Sequence, residues 1–458
     1  MLTPGTVIDL LIEKPAAGGR MIARHEGLVV LVSAALPGER VRALVERTGQ
    51  GLAYAATVEV VEASPDRRTG VRDWACGGNV YAHVSYPRQL LLKGEVVADA
   101  LGRIGRVTLE EPVIVTPSPE HGYRMRARFH VRGQQLGFFR EGTHHLCDPA
   151  TTGQLLPETG QLVEELGELL RAGVLAGVTE VELAENVPAT ERALHLELDR
   201  PVTPRGLDQL SRLPTLVGVG ASFTERQKPR APAPGRGRSR RPPPTPGWRR
   251  TISAGGEPCV LDTLELPVSG PIPAQGGVPV FRLQHHAEAF FQGNRFLLPS
   301  LAARVRSLVP DGPVLDLYAG VGLFAVTLAA SGWRSVVAVE NDRAAAADLR
   351  ANAAPFAEAL LAVEMPVERY LATHPAGREV TIVLDPPRTG MSREAAAAIA
   401  GQDAGQLVYV SCDVATFARD TRRLLDAGYR LDHLEAFDLF PNTAHVEVVA
   451  RFTREGQA

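Results

Sequence analysis

The chain has 458 residues, of which 45% are hydrophobic and 22% are charged, and its formal net charge is −3. This composition is typical of a soluble globular protein, and a chain of this length usually forms two or three domains. The longest apolar run, at residues 28–36, is far shorter than the ~20 residues of a membrane span, so no membrane partner is expected. A net charge near zero neither requires nor excludes a nucleic-acid partner, because a basic face can exist within a neutral total.

The amino terminus lacks the features of a secretory signal. It reads Met-Leu-Thr-Pro-Gly, and Asp9 and Glu13 interrupt its first apolar stretch. A signal peptide needs a basic segment followed by a long apolar core. The sequence therefore predicts a cytoplasmic protein.

Residues 1–62 read as a small OB-like β-barrel. Short apolar or alternating runs are separated by turn-rich segments at 16–20 and 36–39, as expected for strands joined by tight turns. Barrels of this size commonly present one face to nucleic acid, although an unrelated β module fits the pattern equally well. The predicted strands are 6–11, 28–32, 40–45 and 55–61.

Residues 63–285 are predicted to form an α+β central domain. Helical patterns cover 87–101 and 158–172, and strand-like runs cover 124–131 and 193–198. Residues 228–250 contain eight basic residues, no acidic ones and almost no apolar ones. Because such a segment buries too little surface to offset its ordering entropy, it is predicted to be a disordered loop. It either holds RNA phosphates non-specifically or is a solvated insertion without a role.

From residue 286 to 458 the pattern changes to regular α/β alternation. Short apolar strands separated by Ala-rich helices, such as 343–353 and 393–400, predict a Rossmann-like parallel sheet covered on both faces. The last two strands, 430–437 and 445–452, can close this sheet as a hairpin. The parallel strands are predicted at 313–317, 335–339, 361–364, 380–384 and 407–410.

The first strand of this α/β region runs into a Gly-rich turn that is typical of a nucleotide-containing cofactor. Gly320 and Gly322 allow a close approach of backbone to ligand, and Glu340 ends the next strand, where an acid can bind both ribose hydroxyls. The pattern also satisfies the loose dinucleotide fingerprint. Asp316, just before the turn, favours S-adenosylmethionine, because a carboxylate there can hold a cationic amino-acid group.

Candidate catalytic and substrate-binding residues follow the fourth and fifth strands of the same region. Asp385-Pro386-Pro387-Arg388 ends one strand, and Cys412 ends the next, so both lie at the carboxyl edge of the sheet, where such folds bind ligands. Arg388 suits a phosphate or a base carbonyl. The Cys412 thiolate is expected to be favoured by the N–H dipoles of the helix that follows. Glu447 opens the final strand and faces Cys412 if that strand lies beside the fifth.

A nucleophile and a base beside a methyl donor suit methylation of uracil C5. Uracil C5 is a poor nucleophile until a thiolate adds to C6 and loads charge onto C5. A base must then remove the C5 proton so that the thiol is expelled. Cys412 and Glu447 supply these two groups. Considered separately, Cys412 could be a core thiol and Glu447 a surface acid.

Five motifs in this order resemble those of the RNA 5-methyluridine methyltransferases, whose members act on ribosomal or transfer RNA. The resemblance extends over nearly the whole chain, since residues 1–62 resemble the TRAM domain of many members. The motifs are Phe291-Gln292-x-Asn294, Asp316-Leu317-Tyr318-x-Gly320-x-Gly322, Asp385-Pro386-Pro387-Arg388-x-Gly390, Tyr409-Val410-Ser411-Cys412 and Phe440-Pro441-x-Thr443-x-His445-Val446-Glu447.

The resemblance implies a role for individual positions. Cys412 matches the family's nucleophile and Glu447 its proton acceptor. Arg388 is expected to contact the RNA substrate, and the protein is expected to be a monomer. The positions that match contacts to S-adenosylmethionine are Gln292, Tyr318, Gly320, Glu340 and Asp385.

The cysteines depart from the pattern of many ribosomal-RNA members, which hold an iron–sulfur cluster in the central domain. Cys76 keeps one ligand position, but Gly70 and Asn79 occupy two others, and Cys147 lies a few residues too early to replace the fourth. A cluster needs about four thiolates, so we expect no iron–sulfur cluster. The four cysteines also lack a CxxC pair, and neither a zinc site nor a disulfide framework is predicted.

Three alternatives remain open from the residues. An RNA cytosine-C5 enzyme usually carries a cysteine in the loop occupied here by Asp385–Arg388. A non-catalytic RNA-binding or folding protein could retain the architecture, although Cys412 and Glu447 are intact. A nicotinamide oxidoreductase would share the Gly-rich turn.

Overall fold

The computed structural model describes residues 2–70, 73–200, 208–225, 248–267 and 279–454. It begins with a closed barrel of five strands in the order β1-β2-β3-β5-β4. Residues of β1 alternate between solvent and the barrel interior, which is the period that an amphipathic strand requires. The predicted barrel strands are present, but β2 was not predicted. The strands are β1 (Val7–Pro15), β2 (Met21–His25), β3 (Leu28–Ser33), β4 (Arg40–Gly49) and β5 (Leu52–Glu62).

The central region contains two helices, a seven-stranded sheet and two further strand segments. Helix α1 (Tyr86–Ala100) and the short strand β6 (Val115–Thr116) precede the sheet, which has the order β13-β12-β11-β10-β7-β8-β9 and carries helix α2 (Pro157–Arg171). A separate hairpin follows, formed by β14 (Cys259–Glu265) and β15 (Val280–His286). The sheet strands are β7 (Arg126–Arg132), β8 (Gln135–Phe139), β9 (Leu146–Cys147), β10 (Val178–Glu185), β11 (Arg192–Leu198), β12 (Leu216–Glu225) and β13 (Trp248–Gly256).

The carboxyl-terminal region is a doubly covered α/β sheet, as predicted. Its eight strands have the order β18-β17-β16-β19-β20-β22-β21-β6, with the first five parallel and β22 antiparallel to both of its neighbours. The strands are β16 (Val314–Leu317), β17 (Val336–Glu340), β18 (Leu360–Glu364), β19 (Thr381–Leu384), β20 (Gln406–Ser411), β21 (Tyr429–Phe437) and β22 (Glu447–Arg454). The helices are α3 (Leu298–Leu308), α4 (Leu323–Ala330), α5 (Arg343–Ala353), α6 (Val367–Thr373), α7 (Arg393–Ala400) and α8 (Val414–Asp426).

Two cores sandwich this sheet, one on each face. Helices α3, α4 and α5 contribute to the first core, and α6, α7 and α8 contribute to the second. Strands buried on both faces are apolar throughout, which explains the continuous hydrophobic runs of β19 and β20.

The range 63–285 is not a single packing unit, which corrects the predicted domain division. Val97 of α1 and Val115 of β6 lie in the second core of the α/β region, and β6 extends its sheet by pairing with β21. Phe281 and Leu283 of the β14–β15 hairpin lie in the first core. The carboxyl-terminal region is therefore built from residues 286–454, the hairpin that directly precedes them and a separate earlier segment that contains α1 and β6.

The predicted disordered segment, 228–250, lies mostly outside the described residues. Its last three residues, 248–250, are described, and they form the start of β13, which pairs with β12. The prediction was wrong for these three residues because sheet pairing supplies the backbone hydrogen bonds that composition alone does not reveal. Within the described ranges, none of the helices combines the length and the apolar character that crossing a bilayer requires.

The docking of α1 gives a test of this packing. A Cβ added to Gly94 in α1 would lie 2.7 Å from the Val113 carbonyl oxygen, whereas one added to Gly160 in α2 would meet nothing within 4 Å. Gly94→Ala should lower the free energy of unfolding by about 1–3 kcal/mol through overpacking. Gly160→Ala should raise it by up to about 1 kcal/mol, because alanine loses less backbone entropy in a helix. Urea titrations of both variants measure this, and equal effects would contradict the proposed docking.

Candidate active site

The predicted site residues gather at the carboxyl edge of the parallel strands. β16 lies between β17 and β19, and β19 lies beside β20, so the turns that follow these strands open at one edge of the sheet. Asp385 directly follows β19, and Cys412 directly follows β20. Ligands of open α/β sheets bind in this crevice.

The Gly-rich turn after β16 has an unusual backbone that only small residues normally adopt. Gly320 and Gly322 have φ of 56° and 97°, and Tyr318 has φ of 61° although it carries a side chain. A Cβ on Gly322 would lie 2.7 Å from Leu349 Cδ1, so the turn is also packed too closely for alanine. Strained backbone of this kind concentrates at ligand sites.

Glu340 supports this turn from the end of β17. One carboxylate oxygen accepts a hydrogen bond from Gly320 N at 2.8 Å, and the other accepts from Asn341 N and Asp342 N at 2.7 and 2.6 Å. Asp316 is fully buried. One of its carboxylate oxygens accepts a hydrogen bond from Ala325 N at 3.0 Å and so holds the start of α4, and the charge of Asp385 acts on the same carboxyl group.

Asp385 and Gln292 meet beside the turn. Gln292 Nε2 donates to Asp385 Oδ2 across 3.4 Å, which joins the segment before α3 to the loop after β19. Burial raises the pKa of Asp385 to about 7, although the hydrogen bond from Gln292 opposes this effect. Burial and the charge of Asp385 also raise the pKa of Asp316 well above its usual range. The crevice therefore contains acids that resist being ionised together.

The structure brings Cys412 and Glu447 together. β22 is inserted between β20 and β21, and Ser411 pairs with Val448, so the next pair in register is Cys412 with Glu447. Cys412 is partly exposed, whereas Glu447 is only 3% exposed. The charges of Glu447 and Asp385 act on the Cys412 thiol, and Arg388 donates to it. The arrangement offers a sulfur nucleophile, a carboxyl base and one cation in a shared pocket.

Contrary to the expected effect of the following helix, the surroundings of Cys412 favour the protonated thiol. Burial, then the charges of Glu447 and Asp385, raise the pKa of Cys412 to about 12, and Arg388 only partly offsets them. The N-terminus of α8 is occupied by Asp413, whose carboxylate accepts from Thr416 N at 2.8 Å. Burial, then Asp385, likewise raises the pKa of Glu447 well above its usual range.

The loop that precedes Glu447 is held by residues from three other parts of the chain, among which only Asn294 belongs to a predicted motif. Tyr123 donates to the Pro441 carbonyl at 3.2 Å, and Asn294 donates to the Leu439 carbonyl at 3.0 Å. Gln89 and Lys93 of α1 bind the same loop. Two long polar residues one helical turn apart on an otherwise apolar face were the available sequence signal.

Cys76 and Cys147 form a disulfide, which corrects the expectation that the cysteines form no disulfide framework. The two residues are 71 positions apart in sequence, and their proximity follows from sheet pairing: Gly77 N donates to the carbonyl of Phe139, and Phe139 lies on β8, which pairs with β9. Asn79, at a position expected to have lost a ligand, instead donates to the Asp73 carbonyl. Two sulfurs bound to each other do not fit an iron–sulfur cluster.

Comparisons with known proteins agree with this geometry. A family model described as tRNA (Uracil-5-)-methyltransferase matches residues 376–454, and a TRAM domain model matches residues 2–58. The chain is 31% identical to the 23S rRNA (uracil(1939)-C(5))-methyltransferase RlmD of Pseudomonas entomophila, with 97% of this chain and 93% of the relative covered. It is also 31% identical to the enzyme of the same name from Pseudomonas fluorescens, with 97% and 91% covered.

A solved structure has the same overall fold. It is the tRNA (uracil-54, C5)-methyltransferase of Pyrococcus abyssi in complex with S-adenosyl-L-homocysteine, with a TM-score of 0.70 and 23% identity over 97% of this chain and 100% of that chain. The predicted fold class is thereby confirmed, including the amino-terminal barrel.

The electrostatics of Cys412 predict its reactivity. Because its pKa is about 12, alkylation of Cys412 by iodoacetamide should be slow at pH 7 and rise about tenfold per pH unit up to pH 10. Arg388→Met should slow alkylation about tenfold at fixed pH by removing the cation, and Glu447→Gln should accelerate it. Peptide mass spectrometry follows Cys412 and Cys259 separately, and Cys259 serves as the control that neither variant should change. Fast alkylation of Cys412 at pH 7 would contradict the assigned electrostatics.

Proposed function

This chain belongs to the family of RNA (uracil-C5-)-methyltransferases, and from that premise we propose that it methylates a uridine of ribosomal RNA through a covalent adduct between Cys412 and uracil C6. The single observation that carries the mechanism is the register of β20 and β22, which sets Cys412 opposite Glu447. A pyrimidine ring between the two side chains would have a nucleophile at C6 and a base within reach of C5.

S-adenosyl-L-methionine is the methyl donor in this proposal, and the chemistry of the crevice supports it. The donor is a sulfonium cation that supplies an electrophilic methyl group. Buried acids with raised pKa values, such as Asp385, would be stabilised in their ionised form by a cation. The strained Gly-rich turn leaves backbone free of Cβ atoms at the same edge. The residues proposed to hold the donor are Gln292, Tyr318, Gly320, Glu340 and Asp385.

The proposed reaction has three steps at the residues of this chain. The Cys412 thiolate adds to C6, and the electron pair of the C5–C6 double bond moves to form an enolate. C5 then forms a bond to the methyl carbon of the donor, while the bond between that carbon and the sulfonium sulfur breaks and its electron pair stays on sulfur. Glu447 finally accepts the C5 proton, the C5–C6 double bond forms again and the thiolate is expelled. Arg388 favours the thiolate in the first step, because it lowers the pKa of Cys412.

The raised pKa values fit the two roles. A thiol with a high pKa is a strong nucleophile once it is deprotonated. In this proposal Cys412 loses its proton only when uracil and the donor are bound beside it. A carboxylate with a raised pKa is a better proton acceptor than an ordinary glutamate. Burial of Glu447 therefore serves the last step.

Ribosomal RNA is the proposed target because full-length relatives with 31% identity are named 23S rRNA enzymes. The transfer-RNA enzyme shares the fold at lower identity. A cytoplasmic location and a monomeric state remain predictions, as does a role for residues 228–250. A non-catalytic RNA-binding role is the competing function, and full methylation by Cys412→Ala would favour it over the proposed mechanism.

Trapping with 5-fluorouridine RNA tests the mechanism. The substituted ring has no C5 proton for Glu447 to remove, so methylation should leave a covalent protein–RNA adduct that survives SDS electrophoresis. Cys412→Ala should form no adduct, and Cys259→Ala should behave as wild type because the charges that act on Cys259 are those of Asp348 and Glu257, and not those of Glu447 or Asp385. Glu447→Gln should also accumulate an adduct on ordinary uridine RNA. Wild-type protein that methylates RNA without a trapped species would overturn the proposal.

Mapping of 5-methyluridine tests the target. Mass spectrometry of ribosomal and transfer RNA from cells with and without this protein should show the loss of the modification from ribosomal RNA. Cells that express Cys412→Ala should resemble the deletion. A loss confined to transfer RNA would reject the ribosomal assignment while leaving the reaction unchanged.

A further inference from the structure

A buried ion pair joins helix α1 to the loop that leads into Glu447. Lys93 Nζ lies 2.5 Å from Asp438 Oδ1, and the two side chains are 1% and 0% exposed. The same ammonium group donates to the Phe440 carbonyl at 3.1 Å. Asp438 follows β21 directly, so this contact fixes the point where the chain leaves the sheet.

A reciprocal amide pair holds the same loop four residues later. Gln89 Nε2 donates to Asn442 Oδ1 at 2.9 Å, and Gln89 Oε1 accepts from Asn442 N at 2.9 Å. Asn442 has φ of 63°, a left-handed conformation that costs energy in most residues. Its carbonyl accepts from Tyr81 N at 2.9 Å, so side chain and backbone are both fixed. We call Gln89, Lys93, Asp438 and Asn442 the clamp.

The clamp contributes more to the position of the loop before Glu447 than to the stability of the fold. Removing two charges from water has an unfavourable desolvation free energy, and the Coulomb attraction between them often does no more than offset it. Such a pair therefore contributes little net stability. A satisfied buried polar network instead selects one arrangement among those that an apolar contact would tolerate. Glu447 begins β22 only five residues after Asn442, so a shift of this loop moves the carboxyl group directly.

We propose that Gln89 and Lys93 are positioning residues for proton abstraction, acting through Asn442 and Asp438 to hold the Glu447 carboxyl group against uracil C5. The proposal rests on the proposed function. Cys412 lies at the end of β20, whose place in the sheet is fixed by β19 and β22. We therefore expect the clamp to affect the removal of the C5 proton, and not the addition of the thiolate or the transfer of the methyl group.

This division gives a kinetic signature. When Glu447 is displaced, Cys412 still adds to C6 and C5 still accepts the methyl group, but the C5 proton leaves slowly. The carbon–sulfur bond then persists, and the methylated adduct accumulates on ordinary uridine RNA. Misplacement of a catalytic group by about 1 Å can cost 100-fold in rate.

The experiment compares two clamp variants with a buried ion pair elsewhere. Asn442→Gly keeps the positive φ and removes only the side chain. Gln89→Met removes both contacts to Asn442, together with the donations to the Tyr81 and Val84 carbonyls, with little change in volume. The control is Arg67→Met, which breaks the Arg67–Glu39 pair (2.6 Å) at the barrel, where Glu39 is 0% exposed. Single-turnover assays with uridine RNA measure adduct formation and product release, and circular dichroism measures folding.

Both clamp variants should release product about 10- to 100-fold more slowly and accumulate adduct, while adduct formation on 5-fluorouridine RNA stays within about twofold of wild type. Arg67→Met should lower thermal stability without accumulating adduct. Folded clamp variants that release product at the wild-type rate, or that slow formation and release equally, overturn the positioning role. Absence of any 5-fluorouridine adduct in the wild type would instead reject the proposed function itself.

Discussion

The pairing of Ser411 with Val448 is the constraint on which the site depends, because it sets the register between β20 and β22. Side chains alternate along a strand, so a slip of one residue would turn Glu447 away from Cys412 and exchange the β22 residues that pack in the two cores. Burial of β22 between β20 and β21 makes that slip costly. The same antiparallel insertion that completes the sheet therefore brings Glu447, from the last strand, next to Cys412.

The electrostatic state of the crevice follows from this burial. Asp385, Glu447 and Cys412 each have a raised pKa, because burial and mutual repulsion disfavour their charged forms. Arg388 offsets part of this repulsion at Cys412 and Glu447. A cationic methyl donor would relieve it further, so the proposed chemistry and the proposed ligand have complementary charge.

The domains contribute to one another's structure. Helix α1 precedes the central sheet in sequence, yet it packs on the carboxyl-terminal core and binds the loop before Glu447. Ala444 of that loop also lies close to Gly19 of the barrel, where an added Cβ would be 3.1 Å away. Three regions of the chain therefore meet at the loop that precedes Glu447.

The sequence by itself determined the α/β class, most strands, the Gly-rich turn and the placement of Cys412 and Asp385 at one edge, because local periodicity and strand ends encode these features. It did not determine the Cys76–Cys147 contact, the β13 strand within residues 228–250 or the clamp around Asn442. Each of these depends on contacts between residues distant in sequence. It also predicted a favoured Cys412 thiolate, whereas the tertiary structure decided the opposite, since burial and neighbouring carboxyls outweigh a helix terminus that Asp413 already caps.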